Sequence, residues 1–174
     1  MVIWLIGLSG AGKTTIGRRV HALWQAKAAN TVFIDGDEVR ELFKHDRGSQ
    51  PFTREGRRLN AERITALCAM LDRQGINVVC CILSLFPDMQ QQNRMLFSRY
   101  YEVFIDTPLD VLEKRDVKGL YAAARRGENP NMVGIDLEFP PPPGADMVIR
   151  DALDPGMVDS IAQRILTQAE VSHG

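Results

Sequence analysis

The chain has 174 residues, 45% hydrophobic and 25% charged, which suits one domain with a real core and excludes disordered or fibrous chains. Its 21 Lys+Arg against 22 Asp+Glu give a net charge of −1, so no basic field is present to hold a nucleic-acid backbone. Cys68, Cys80 and Cys81 are odd in number, two of them adjacent, without metal-ligand spacing. They read as small core residues in a reducing compartment.

The apolar start, Val2 to Ile6, is too short for a membrane span, lacks a basic leader and reads as a buried strand. The expectation is a cytoplasmic protein with no membrane partner. Thr14 to Ala28 reads as a helix, with Ile16, Val20, Leu23 and Trp24 on one stripe. Thr31 to Ile34 is a second strand, running into Asp35-Gly36-Asp37. A helix is expected from about Thr53 to Arg73, its stripe formed by Ile64, Leu67, Cys68 and Leu71, with Gly75 suiting the stop. Ile76 to Leu83 is the most hydrophobic strand and should be central. Tyr101 to Asp106 is another, and Pro108 suits the first turn of a following helix. Arg115 to Gly134 is basic, glycine-containing and weakly periodic, and Pro140 to Pro143 reads as a rigid connector. Met147 to Ile149 is a short last strand, and a closing helix runs from about Gly156 to Ala169. Strands alternating with helices predict an α/β fold. The expectation is a parallel five-stranded sheet with helices on both faces, in a single domain over 1–174 with a lid over about 115–143.

Gly7-Leu8-Ser9-Gly10-Ala11-Gly12-Lys13-Thr14 matches GxxxxGK[ST], a pattern that chance places in roughly one chain in two hundred of this length. A strand precedes it and an amphipathic helix follows, as a phosphate-binding loop requires. Its glycines let backbone N–H groups face phosphate oxygens. Lys13 would reach the β- and γ-phosphates of ATP, and the Thr14 hydroxyl would ligate Mg²⁺. With Gly7, Ser9, Gly10, Ala11, Gly12 and Thr15 these form the expected nucleotide-binding set. No Asn-Lys-x-Asp segment of a GTPase is present, and the apolar run Val78 to Leu83 ends in Ser84 rather than the Asp of a motor ATPase. A small-molecule kinase fits best. Asp35 and Asp37 follow the second strand, where ligands bind in open α/β sheets. Asp37 is assigned to the acceptor hydroxyl and Asp35 to the metal's outer shell, with Lys13, as the catalytic set.

At this point the motifs resemble the adenylyl-sulfate (APS) kinases. These P-loop enzymes use ATP to phosphorylate the 3′-hydroxyl of adenosine 5′-phosphosulfate. Gly7 to Thr15 is similar to that family's GLSGxGK[ST]T, and Asp35-Gly36-Asp37 with Val39-Arg40 to its DGDNVR. Phe52, Arg57 and Asn60 fall at its F-x4-R-x2-N spacing. Lys114-Arg115-Asp116 with Lys118-Gly119-Leu120-Tyr121 resembles its lid, and Gly134-Ile135-Asp136 its GID. The resemblance implies that Phe52 stacks on the acceptor base while Arg40, Arg57 and Asn60 hold its ribose and 5′ anionic tail. It implies that Arg115 and Lys118 lie over the ATP side or steady the transferring phosphate when the lid closes. Ser84, Met132 and Ile135 join the acceptor-binding set, and a homodimer is allowed.

Three departures gather on the acceptor side. Glu38 stands where the family has Asn, and Ser84-Leu85-Phe86-Pro87-Asp88-Met89 lacks the family's basic residue. Met132 replaces a second aromatic. Asn60 to Ile64 and Val79 to Phe86 look more like a branch that phosphorylates cytidine 5′-diphosphoramidate in capsular polysaccharide modification. The sequence therefore favours that cytidine compound slightly, with APS as the alternative and Glu38 or the Ser84 region as acceptors for the base amino group. A kinase of shikimate or gluconate type, or a nucleotide-binding module without catalysis, is the rival reading. Phe52 argues against the first, and intact Lys13, Thr14, Asp35 and Asp37 against the second.

Overall fold

The protein is described by a computed structural model covering residues 1–43, 52–150, 152 and 154–172. Five parallel strands form one sheet in the order β2-β3-β1-β4-β5. They are β1 (Val2–Ile6), β2 (Thr31–Asp35), β3 (Asn77–Ile82), β4 (Tyr100–Ile105) and β5 (Met147–Ile149). β1 is buried along its whole length, because a central parallel strand is covered on both faces. It pairs with β3 from Val2–Val78 to Ile6–Ile82, and with β4 from Val2–Tyr100 to Ile6–Phe104. All five expected strands are present; the one expected to be central, β3, sits beside the true centre.

Helix α1 (Lys13–Gln25) buries Ile16, Val20 and Trp24 and packs with the closing helix α7 (Val158–Val171). A single 3-10 turn, Pro155–Met157, precedes α7. Helix α3 (Arg54–Arg73) buries Ile64 and Cys68 against the other face, with Thr53 capping its start through Gly56 N–H at 3.2 Å. The adjacent cysteines of β3 separate the two layers. Burial and the neighbouring Cys68 of α3 push the Cys80 thiol up, while Cys81 lies under Gly17 of α1. Consecutive strand residues point to opposite faces, so the pair is core on each side, and all three cysteines are buried as expected of small core residues.

Two elements escaped the sequence reading, α2 (Gly36–Leu42) and α4 (Pro87–Leu96), and so did the regular structure inside the lid. The segment expected to be irregular from Arg115 carries the end of α5 (Leu109–Arg115) and then α6 (Leu120–Arg125). Both are too short for periodicity to show. Asp116 caps α6, its carboxylate accepting from Tyr121 N–H at 3.1 Å and Ala122 N–H at 2.8 Å. Pro108 stands just before α5 rather than inside its first turn.

Gly17 sets how closely α1 approaches the sheet. A Cβ there would lie 2.3 Å from Cys81 Sγ and 3.0 Å from Phe33 Cε2. Gly17→Ala should therefore cost about 1–3 kcal/mol of stability by overpacking. The loss should shrink in a Cys81→Ala background, as read by denaturant unfolding of the four variants.

Candidate active site

The phosphate loop joins β1 to α1 at the C-terminal edge of the sheet. Gly10 and Gly12 hold φ of +78° and +99°, a region that side chains rarely enter. Gly12 caps α1, and no side chain satisfies the helix's first N–H groups. Those donors and the positive end of the helix dipole are left for an anion. Lys13 Nζ donates to the Leu8 carbonyl at 2.7 Å, folded back onto its own loop. Burial pushes its ammonium below the ordinary lysine value, opposed by Asp37 and Asp35.

Asp35 ends β2 and serves two neighbours. One carboxylate oxygen accepts Asp37 N–H at 2.9 Å, capping α2. The other accepts the Thr14 hydroxyl at 2.8 Å. A hydroxyl and a carboxylate side by side are hard oxygen donors of the kind Mg²⁺ takes in small number beside phosphates and water. Asp37 projects from the first turn of α2, exposed, 3.0 Å from Arg40 Nη1 and 3.6 Å from Lys118 Nζ of the lid. Tyr121 ties the lid to the phosphate loop by donating to the Ser9 carbonyl at 2.7 Å. Burial, with Asp116 and Glu113, raises its hydroxyl to about 12.

Phe52 exposes 47% of its surface. The guanidiniums of Arg40 and Arg57 stand over its ring at 5.3 and 5.5 Å. Arg57 also donates to the carbonyls of Phe52 at 2.9 Å and Asn131 at 3.2 Å. Burial and the neighbouring Arg40 lower its pKa to about 10. Two buried polar atoms here have no hydrogen-bond partner among the described residues, Arg40 Nε and Asn60 Oδ1. Such groups are costly to leave unpaired, and a ligand would satisfy them.

These residues share one cavity of about 840 Å³, near the upper end for a ligand pocket. Of the residues singled out from sequence, Ser9, Gly10, Gly12, Lys13, Thr14, Thr15, Asp35, Asp37, Arg40, Phe52, Arg57, Asn60, Ser84, Arg115, Lys118 and Met132 line it. Gly7 and Ala11 lie behind it as loop framework. A Cβ on Gly7 would meet the Ile105 carbonyl at 2.8 Å, and Ala11 is fully buried. Two placements differ from expectation. Ile135 faces a separate cavity of about 480 Å³ with Leu8, Leu109 and Phe139, because its loop turns back at Gly134, where φ is +93°. Glu38 points outward and pairs with Arg18 at 2.6 Å, both exposed, and is not among the residues that line the cavity.

Sequence reasoning missed Leu112, Ala152, Pro155 and Val158, which line the same cavity on the β4–β5 side. They carry no motif, and only their place after the last strands reveals them. Tyr121 lay within a quoted motif but was given no role.

Residues 1–150 match the adenylylsulphate kinase family. The chain belongs to that family, and it is a kinase. It is 38% identical over 151 residues to cytidine diphosphoramidate kinase of Campylobacter jejuni, covering 87% of this chain and 86% of that one. It is 36% identical over 170 residues to adenylyl-sulfate kinase of Halothermothrix orenii, covering 98% and 89%. Among solved structures, the Mycobacterium tuberculosis APS kinase in complex with AMPPNP and APS superposes with a TM-score of 0.83 at 28% identity, covering 97% of this chain and 96% of that one. The fold expected from the sequence, a P-loop kinase sheet, is thereby borne out, and ATP use follows from the family. No described helix is long and apolar enough to cross a membrane.

The double duty of Asp35 separates structure from chemistry. Asp35→Asn keeps an oxygen to cap α2, so stability should change little while turnover falls at least tenfold. Asp35→Ala loses the cap as well and should cost about 1 kcal/mol more. Thermal unfolding beside ADP release distinguishes the two. Lys13→Ala should abolish turnover with an unchanged melting temperature.

Proposed function

We propose that this kinase transfers the γ-phosphoryl group of ATP to the ribose 3′-hydroxyl of a nucleoside 5′-phospho-anhydride. Cytidine 5′-diphosphoramidate is the preferred acceptor and APS the alternative. The reading rests on the division of the cavity by β1. The ends of β2 and β3 gather Asp37, Arg40, Phe52, Arg57 and Asn60 on one side. The ends of β4 and β5 gather Leu112, Arg115, Ala152 and Pro155 on the other. The phosphate loop stands between them, so donor and acceptor approach it from opposite halves.

In this reading Lys13 leaves the Leu8 carbonyl for the transferring phosphoryl oxygens. The N–H groups at the start of α1 hold the remaining ones. Thr14 and Asp35 would hold Mg²⁺, which neutralises charge developing on the phosphates. Asp37 accepts the hydrogen bond of the 3′-hydroxyl and orients it in line. Arg40 and Arg57 neutralise the 5′ tail. Lys118 and Tyr121 close the lid against water, the competing acceptor.

The observation that favours a pyrimidine is the methionine in the cavity that Phe52 lines. Met132, buried and lining the cavity, packs on a base without a ring's stacking geometry. A position without a second stacking ring suits a small base better than a large one. The likeness to the Campylobacter jejuni enzyme supports the same choice. The likeness to adenylyl-sulfate kinases supports APS.

Coupled ADP release from Mg-ATP with each acceptor tests the proposal. The expected result is a kcat/KM at least tenfold higher for the cytidine compound. The reverse ranking would overturn the preference and make Met132 a tolerated replacement. No turnover on either would overturn the acceptor class.

A further inference from the structure

Ser84 follows β3 and lines the cavity. It holds φ of +50°, a left-handed conformation that a serine pays for in strain of about 1–3 kcal/mol. The cause of its placement is Gln90 on α4. Gln90 is only 3% exposed, and its Nε2 donates both to Ser84 Oγ at 3.1 Å and to the Ser84 carbonyl at 3.4 Å. The carbonyl fixes which way the amide lies, since the reverse orientation would set two acceptors against each other. Gln90 Oε1 is left buried without a partner. A strained backbone, two bonds from one amide and an unpaired buried oxygen are held together at the edge of a ligand cavity.

The geometry has a chemical consequence. Because Oγ already accepts from Gln90, the Ser84 hydroxyl proton is free to be donated into the cavity. The same half of the cavity holds the cations Arg40 and Arg57, with Lys13 at the phosphate loop. The basic side chains around α4 are engaged elsewhere. Arg58 forks onto Asp88 at 3.0 and 3.2 Å, and Arg94 reaches Asp146 at 3.2 Å and the Gly144 carbonyl. Phosphate oxygens at neutral pH only accept hydrogen bonds, which matches a hydroxyl held as a donor.

We propose that Gln90 is a positioning residue that locks Ser84 as a hydrogen-bond donor to the acceptor's 5′ anionic tail. The inference rests on the acceptor class proposed above but not on which base the acceptor carries. Gln90 acts only through Ser84, and the contact reads phosphate oxygens, so it serves a cytidine and an adenosine nucleotide equally.

Isothermal titration of CMP and of AMP into the ADP-bound enzyme tests this. Ser84→Ala, Ser84→Gly and Gln90→Leu should each weaken both mononucleotides by about ten- to a hundredfold, the range for losing a bond to a charged group. ADP affinity should be unchanged. Ser84→Gly also relieves the left-handed backbone, so its loss of affinity would not reflect strain or unfolding. Gln90→Glu should be worse than Gln90→Leu, because a carboxylate turns the hydroxyl proton away from the cavity. In a Ser84→Ala background both Gln90 substitutions should have no further effect. Unchanged affinity in folded Gln90 variants, or an undiminished Gln90 effect in the Ser84→Ala background, would overturn the proposal. So would unequal losses for CMP and AMP, which would mark a base contact instead. If the wild-type enzyme binds neither mononucleotide, the acceptor class itself fails and this inference with it.

Discussion

One carboxylate joins the two halves of this kinase. Asp35 takes the Thr14 hydroxyl on one oxygen and the Asp37 amide on the other. The first contact fixes the start of α1, and with it the phosphate loop. The second fixes the start of α2, and with it the direction of Asp37 and Arg40. A phosphoryl-transfer site gains most from holding its parts at set distances. Here a single short side chain at the end of an edge strand sets the distance between the start of α1 and the carboxylate of Asp37.

Around that link the cavity is short of partners on purpose-built surfaces. The first N–H groups of α1 lack a side-chain cap, and Arg40 Nε and Asn60 Oδ1 are buried without partners. Lys13, Arg40 and Arg57 meanwhile lean on the protein's own carbonyls, carboxylates or aromatic ring. The lid meets both sides, Tyr121 at Ser9 and Lys118 at Asp37. Its position therefore depends on the phosphate loop and on Asp37 together.

Much of this was legible in the sequence because it is written in long apolar runs and exact spacings. The five strands, α1 and α3 follow from hydrophobic pattern and caps, and the phosphate loop from glycines whose φ values require them. Short helices were not legible. α2 and α6 are seven and six residues long, and their ends are set by capping carboxylates, Asp35 and Asp116, that resemble turn residues in one dimension. Side-chain direction was also hidden. Glu38 is next to Asp37 in sequence yet turns to Arg18, and Ile135 sits in a quoted motif yet faces another cavity. The residues on the β4–β5 side of the cavity, Ala152 and Pro155 among them, carry no signature. They are brought there only by the strand order.

That strand order has an evolutionary consequence. With the phosphate-loop strand third of five, the chain segments on its two flanks share a floor but little else. Substitutions on the β2–β3 flank can remodel one compartment while the opposite compartment stays as it was. The stretch from Ser84 to Phe86, which follows β3 and lines the cavity, lies in the first compartment, and the glycine loop closes its floor. The sheet thus works as a watershed, on which a change in one compartment leaves the geometry of the other intact.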